Sequence, residues 1–560
     1  MHDYSNLSDL ADACEKFHGH FRDQRTAETL ETRRKLADWI RKFHHECGTL
    51  TSQVEQALGK LDSENCLLLM TAHQPNLFAY GGVLRKATLN HVLAGRLSRR
   101  LDVPVVSFFG LADQDFTDDR WVKSALLPDV ERRNAMLELR IPLPERIMLN
   151  KTPKPSETIL DAWKHDVQNW IHRKTKSITE LSGVQLDETE YLKNLTQFWS
   201  VVTDSHNKAE NCADFSAFII SKIINDTWGY DTLFCRFSEC QRIFKREFSS
   251  LIGRFWEYSK AVREAEERPR TEDGGVHGDE HLTVPVWYHC ECGSKARLMA
   301  VDAEGGIMGH GDCLVCGKRH EIDFSPESSI WSDLSRVSAR ALAMPLVLFG
   351  GLGVCCYVGG VGGRQYLWQA EYVAGQMGMA FPPVVIWRPH DRYLGLGQLE
   401  ALLILKKLAG SFDLSKHKAA EGALREKLVT VQRRMDELET RKKEITGSMG
   451  ERSEKINEIK YLAKQQDMMR REANSPMLAR HLGLLENSER VVKAYPCMID
   501  YAVNLGLRNV SEQWEASLKT AEILSSDITI RTTMDQQLSR LGLPSSWPSL
   551  MEDLKHDDLD

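Results

Sequence analysis

Four cysteines in "YHCECGSKARLMAVDAEGGIMGHGDCLVCGKRHEID" stand as two close pairs, Cys290 with Cys292 and Cys313 with Cys316. A CxC and a CxxC with 20 residues between them bring four thiolates onto one tetrahedral ion from two tight turns. Glycine follows Cys292 and Cys316, where such knuckles call for positive φ. His289, His310 and His320 are spare donors. A catalytic zinc keeps an open position, and four cysteines leave none, so the expected site is structural Zn2+ in a small ribbon, about one equivalent per chain. Reduced cysteines in an ordinary loop are the plainer reading.

Three further stretches carry polar side chains where apolar runs end. In "TAHQPNLFAYGGVLRK" (71–86), His73 is a candidate acid or base, and Gln74, Asn76 and Tyr80 are candidate substrate contacts. A helix start there favours anions, with Lys86 about one turn inside. In "FFGLADQDFTDDRW" (108–121), Asp113 and Asp115 follow a strand end, where carboxylates grip an amine, a ribose or magnesium, and Gln114 lies between them. In "YVGGVGGRQYLWQ" (357–369), Gly359, Gly360 and Gly362 let backbone N–H groups approach an anion that Arg364 and Arg388 would pair with, and Gln365 faces substrate. Taken singly, each has a bland alternative: a helix cap, a structural histidine, a turn. "GGVGG" matches neither the dinucleotide fingerprint nor the P-loop.

The elements needed to position these loops are legible as patterns. "CLLLMT" (66–71) and "VPVVSFFG" (103–110) read as strands joined by the helical "VLRKATLNHVLAGRLSRR", a βαβ unit that predicts a parallel sheet. "YDTLFCRF", "MPLVLFGG", "VCCYVGG" and "PPVVIWRP" read as further strands. Residues 1–60 read as helical around Leu30, Leu36, Ile40 and Phe43, and 150–230 as largely helical. The charged stretch 262–282 reads as a linker. Leu424, Leu428, Val431, Met435, Leu438 and Ile445 form a heptad seam, and Ile456, Ile459 and Leu462 begin a second helix. The expected organisation is an α/β chain: a helical segment (1–60), a core in two parts (61–261 and 326–413), a zinc-ribbon insertion (262–325), a coiled-coil hairpin (414–475) and a helical end (476–560).

Over 560 residues, 42% apolar and 27% charged composition is that of an ordinary globular protein. A net charge of -7 argues against a mainly nucleic-acid-binding protein. No run approaches the length of a membrane span, and "MHDYSNLSDLADACEKF" lacks the features of a secretory leader. The thirteen cysteines, apart from the cluster, are scattered, which fits a reducing cytoplasm.

The three loops, in this order, resemble the motifs of the bacillithiol-biosynthesis cysteine-adding enzymes, the cysteine ligase family. That family reads approximately TGQQ-x-GLF-x-G…K, GEDHDF and YVGGPGE-x-x-Y-x-x-Q, against "TAHQPNLFAYGGVLRK", "LADQDF" and "YVGGVGGRQYLWQ" here. "HQPN" is also similar to WbqC-like proteins of sugar-modification clusters. The cysteine-ligase resemblance implies a Rossmann-like, nucleotidyltransferase-type core and a dimerising helical coiled coil. It implies an activity joining cysteine to an amino-sugar amine, with ATP and Mg2+ as the candidate energy source. The departures are His73 for a glutamine, Pro75 and Asn76 in the first motif, Ala112 and Gln114 in the second, and Gly363 for a glutamate in the third. The expectation is therefore an amide-forming ligase acting on an amino acid and a small amine. An inactive interaction scaffold or a nucleotidyltransferase is the alternative.

Overall fold

The computed structural model describes residues 4, 6–23, 27–61, 66–267, 280–387, 391–410, 414–448, 452–473, 476–520 and 530–531. Arg388, most of the charged linker and the acidic C-terminal end lie outside the described residues.

Strands β1 (Leu67–His73), β2 (Val105–Leu111) and, after a separate hairpin of Ser124–Pro128 with Met136–Arg140, β3 (Leu233–Arg236) come first. Next are β4 (Thr283–His289), β5 (Lys295–Ala303), β6 (Gly306–Asp312), β7 (Arg319–Asp323) and β8 (Val337–Ala339), then β9 (Val354–Gly360) and β10 (Val384–Trp387). One sheet is wholly parallel, in the spatial order β10–β9–β1–β2–β3. Its central strands are buried on both faces, so they read as unbroken apolar runs rather than alternations. Leu67 and Leu69 of β1 share one core with Leu89, Leu93 and Leu97 of helix Gly81–Leu101. Leu68 and Met70 share the opposite core with Leu367, Ala370 and Val373 of helix Arg364–Gln376. The two crossover helices therefore cover opposite faces.

This places a reversal of winding at the centre of the sheet. From β1 the chain proceeds to β2 on one side, and from β9 to β10 on the other. The gap between the carboxyl ends of β1 and β9 is the topological switch point, where open α/β sheets leave a crevice for ligands.

A second sheet is antiparallel, in the order β8–β4–β5–β6–β7, and carries the cysteine pairs. It is not a detached module. Val284, Val286, Tyr288, Ala296 and Leu298 enter the same core as Leu68, Met70, Val106 and Phe108 of the parallel sheet.

One expected strand is a helix. "MPLVLFGG" lies in helix Ala343–Leu352, with Leu346, Val347, Leu348 and Phe349 all buried. A short run that is apolar on every side carries no period to separate strand from helix. Helices Leu7–Asp23, Ala27–Cys47 and Ser52–Leu61 build the N-terminal segment, and Glu157–Ser182, Glu188–Lys208 and Cys212–Ser221 fill the middle of the chain. Helices Leu414–Gly447 and Arg452–Ala473 pack side by side. Val431 and Leu462 are buried between them, while Leu424, Leu428, Met435 and Leu438 are half-buried. Among the described residues no helix is long and apolar enough to cross a membrane.

Candidate functional site

Strand register brings the three polar loops to one edge. His73 pairs with Leu111 and Ala72 with Gly110, so the first and second loops leave adjacent strands together. Thr71 pairs with Val358, and its Oγ1 donates to the Val358 carbonyl at 2.9 Å, which fixes the third loop on the other side of β1. The Ala112 N–H donates to the His73 carbonyl at 3.0 Å and continues the register beyond the strand ends.

Lys86 reaches into the switch-point crevice. It is 6% exposed, and its Nζ donates to the Ala72 carbonyl at 3.4 Å. A Cβ at Gly360 would lie 4.0 Å from that Nζ, so the ammonium faces bare backbone at the end of β9. No carboxylate pairs with it among the described contacts, and burial lowers its pKa to about 8. An unpaired ammonium taken out of water costs several kcal/mol, and one long carbonyl contact offsets little of that. Helix Arg364–Gln376 starts beside the same crevice, with Gly363 at its N-cap and no side-chain cap. Gly359, Gly360 and Gly362 are not in the left-handed region. Their role is spatial: a Cβ at Gly359 would lie 2.9 Å from Leu367, while Gly362 faces open space. Arg364 and buried Gln365 open the helix. The first N–H of helix Gly81–Leu101, by contrast, is occupied by the Pro496 carbonyl at 3.0 Å. Attraction for an anion therefore falls to Lys86 and the later helix.

His73 ends β1 with a defined tautomer. Its Nδ1 lies 3.0 Å from the Gln74 carbonyl, which can only accept, so Nδ1 carries the proton and Nε2 faces the Tyr80 hydroxyl at 3.4 Å. Part of the residue's surface opens to the cleft, but the ring lies deep among protein atoms. That burial, together with the nearby Lys86 charge, lowers its pKa to about 3. Tyr80 packs edge-on to His73 and against Trp121. Gln74 donates to Asp119 at 2.5 Å. Asn76 is 1% exposed, and neither its Nδ2 nor its Oδ1 has a hydrogen-bond partner.

The second loop divides its carboxylates. Asp113 is 2% exposed and accepts from the Ser238 N–H and the Asn150 amide, both at 3.0 Å. Its carboxyl is raised by burial, and those bonds make it a brace for the loop. Gln114 accepts from Gln241 at 3.0 Å, also within the structure. The Asp115 carboxylate is different: it makes no hydrogen bond among the described contacts, and burial raises it while the Lys295 charge opposes that rise. Lys295, on β5 of the cysteine-bearing sheet, is 4% exposed, with its Nζ 4.8 Å from the Phe116 ring centre and 5.9 Å from that of Trp287. Burial lowers it to about 8. Tyr366, from the third loop, lies near enough to feel the Asp115 charge.

Sequence reasoning missed Lys295, Trp287 and Tyr366. Tyr366 lay within a quoted motif. Lys295 and Trp287 lay in the insertion, where nothing local points to a distant strand end.

The cysteines converge as their spacing predicts. The Sγ atoms of Cys290, Cys292, Cys313 and Cys316 all lie within 4.8 Å of one another, with Cys290 to Cys316 at 3.6 Å and Cys292 to Cys313 at 3.4 Å. Tetrahedral zinc with Zn–S near 2.3 Å requires separations of ~3.8 Å, so the set fits a metal ion. Gly293 and Gly317 take φ of 89° and 68°, the left-handed turns the knuckles call for. Burial alone would raise the Cys313 thiol, but backbone N–H groups of Cys316 and Val315 outweigh it and bring the group to about 6. The spare histidines stand apart: His289 bonds Ser335 and Ser338, and His320 packs on Tyr288. The first knuckle is tied to the second loop through 146–150. Met148 N–H donates to the Gly293 carbonyl and Ser294 Oγ to the Arg146 carbonyl, while Leu149 N–H donates to the Asp115 carbonyl.

No protein-family model matches the chain, and no curated protein matches it. Among solved structures, the chain is similar to a Campylobacter jejuni protein described as a proposed arginyl-tRNA synthetase. That match has 11% identity, covers 84% of this chain and 98% of that one, and has a TM-score of 0.23, too low to support a functional argument.

Proposed function

We propose that the protein is an amide-forming ligase of the cysteine-ligase kind, joining the carboxyl of an amino acid to the amine of a small metabolite. The observation that carries this reading is Lys86, a buried ammonium without a carboxylate partner, aimed at bare backbone in the switch-point crevice. A nucleotide phosphate is the natural occupant of such a place. On this reading the parallel sheet is a Rossmann-like core, the antiparallel sheet a zinc ribbon, and the long hairpin a dimerising coiled coil. The chain works in a reducing compartment such as the cytoplasm, where its thiols remain free for metal.

A carboxylate resists attack by an amine, so it must first become a leaving-group ester. In the proposed sequence the amino-acid carboxylate attacks a phosphorus of ATP: attack at the α-phosphorus expels pyrophosphate and leaves an acyl adenylate, and attack at the γ-phosphorus expels ADP and leaves an acyl phosphate. The amine, as free base, then attacks the carbonyl of that mixed anhydride, expels AMP or phosphate respectively, and loses a proton. Lys86 and the N-terminus of helix Arg364–Gln376 hold the phosphates and stabilise the developing charge. Arg364, in the first turn of that helix, adds a guanidinium. Asp115 takes an ammonium or its proton, because its carboxylate, unlike that of Asp113, accepts no hydrogen bond among the described contacts. His73 acts as a neutral hydrogen-bond partner through Nε2, with Tyr80, and the buried Asn76 amide lies close to the same ring. Both Asp113 oxygens already accept hydrogen bonds, so magnesium would be carried chiefly by the nucleotide phosphates. Among the described residues the four cysteines are the metal-ligating cluster, and zinc bound there would hold the two knuckles together.

Incubation with ATP, magnesium, the common amino acids and a set of amino sugars, read by mass spectrometry, tests this. A condensed amide that requires ATP and is lost in Lys86→Met is expected. Release of pyrophosphate with a nucleotide-linked product instead would favour nucleotidyl transfer. No turnover with any set would favour the scaffold reading.

A further inference from the structure

Lys295, on β5, lies over the ring of Phe116, the residue after Asp115 in the loop that follows β2; the two side chains, Lys295 and Asp115, bear opposite charges and feel each other electrostatically without forming a direct ion pair among the described contacts. The Lys295 ammonium makes no hydrogen bond among the described contacts, although the residue is 4% exposed; it lies against the Phe116 and Trp287 rings. Asp115 likewise has no hydrogen-bond donor on its carboxylate. A buried ammonium and a half-buried carboxylate that do not pair with each other are complementary to a molecule that carries both charges itself. Their neighbours are suited to a small organic zwitterion. Phe116 and Trp287 meet edge to face at 5.7 Å, and Tyr366 approaches Asp115 from the third loop.

We infer that Lys295 and Asp115 form an amino-acid subsite, with Lys295 binding the α-carboxylate and Asp115 the α-ammonium. The inference deepens the ligase reading by naming where the acyl donor sits, and it rests on that reading for the fate of the bound molecule. It also gives the cysteine-bearing sheet a direct part in substrate recognition. β5 runs straight on from the first knuckle, and segment 146–150 ties that knuckle to the loop of Asp115. The Lys86 ammonium stands at the end of β1, the strand next to the one that leads into the Asp115 loop.

Calorimetry without nucleotide or acceptor amine tests the subsite. The twenty common L-amino acids are titrated into the full-length, metal-loaded protein, and the tightest binder is compared with its carboxamide and its N-acetyl form. Loss of either charge is expected to weaken binding at least about tenfold. Lys295→Met should weaken the amino acid at least about tenfold but leave the carboxamide nearly unchanged. Asp115→Asn should do the same for the amino acid while sparing the N-acetyl form. Lys295→Arg, which keeps the charge, should recover most of the affinity, and zinc content equal to wild type would show each variant folded. If no amino acid binds, or wild type holds the carboxamide as tightly as the free acid, the subsite is wrong, whatever the variants do. A protein that binds the amino acid with these charge requirements but forms no amide keeps the subsite and loses the ligase reading. A protein that forms amide while Lys295→Met binds the acyl donor normally does the reverse.

Discussion

An imidazole in water titrates near 6.5, but His73 is held neutral down to about 3 by burial and by the Lys86 charge. Its sequence position made it a candidate acid–base; its surroundings make it a neutral donor–acceptor. The pH–rate profile should therefore show no imidazole inflection between pH 5 and 8. His73→Gln should lower kcat/KM by about tenfold or less, the value of one hydrogen bond, with the profile unchanged in shape. An inflection near 6.5 that disappears in His73→Gln would contradict this assignment. Residue type and spacing made the convergence of the four cysteines legible in advance, and strand-end position made Lys86 and Asp115 candidates. They did not reveal that both Asp113 oxygens and the Gln114 Oε1 already accept hydrogen bonds, because Ser238, Asn150 and Gln241 reach them from distant segments. Lys295 was illegible for the same reason: its contacts are made by tertiary packing, which a lysine beside a metal knuckle does not announce.

At the scale of elements, β1, β2 and β9 were readable because strands buried on both faces are apolar without interruption. The same property misled at "MPLVLFGG", where full burial of a helix gives an identical pattern. The convergence of the two cysteine pairs was readable from spacing alone, but not the strand end that lies beside it. If the cysteine-bearing sheet positions Lys295, then removing the metal should act on one half of the cleft. Strong chelation, or Cys313→Ser, should remove about one equivalent of zinc and abolish amino-acid binding. Phosphate-type binding at Lys86, on the other sheet, should persist. Loss of both together would mean that the cysteines support the whole fold rather than this subsite; loss of neither would separate them from the cleft.

Across the whole molecule, two cores on opposite faces of the parallel sheet support a single carboxyl edge, and the second sheet shares one of those cores. The long hairpin contributes least to either core. Val429, Ile456, Tyr461 and Met468 on its surface are 68%, 45%, 61% and 57% exposed, more apolar surface than a lone hairpin needs. Sedimentation should give twice the 63.8 kDa chain mass, and replacing Val429, Tyr461 and Met468 together by glutamate should give the monomer with zinc content intact. A wild-type monomer would remove the dimer from the account.

The most direct test is the affinity of pyrophosphate at two pH values. Lys86 carries its charge below about 8 and loses it above, so an anion held by it should bind at pH 7 and bind much less well at pH 9.5. The sign for folding is opposite. The ammonium has a pKa of 10.5 when unfolded, so the unfolded chain holds the extra proton between about 8 and 10.5, and the ligand-free protein should gain stability as pH rises through that window. Calorimetry is predicted to show binding at pH 7 that falls at least about tenfold in Lys86→Met and falls likewise in wild type at pH 9.5. Equal affinity in wild type and Lys86→Met at pH 7 would contradict the claim that the switch-point crevice is an anion site.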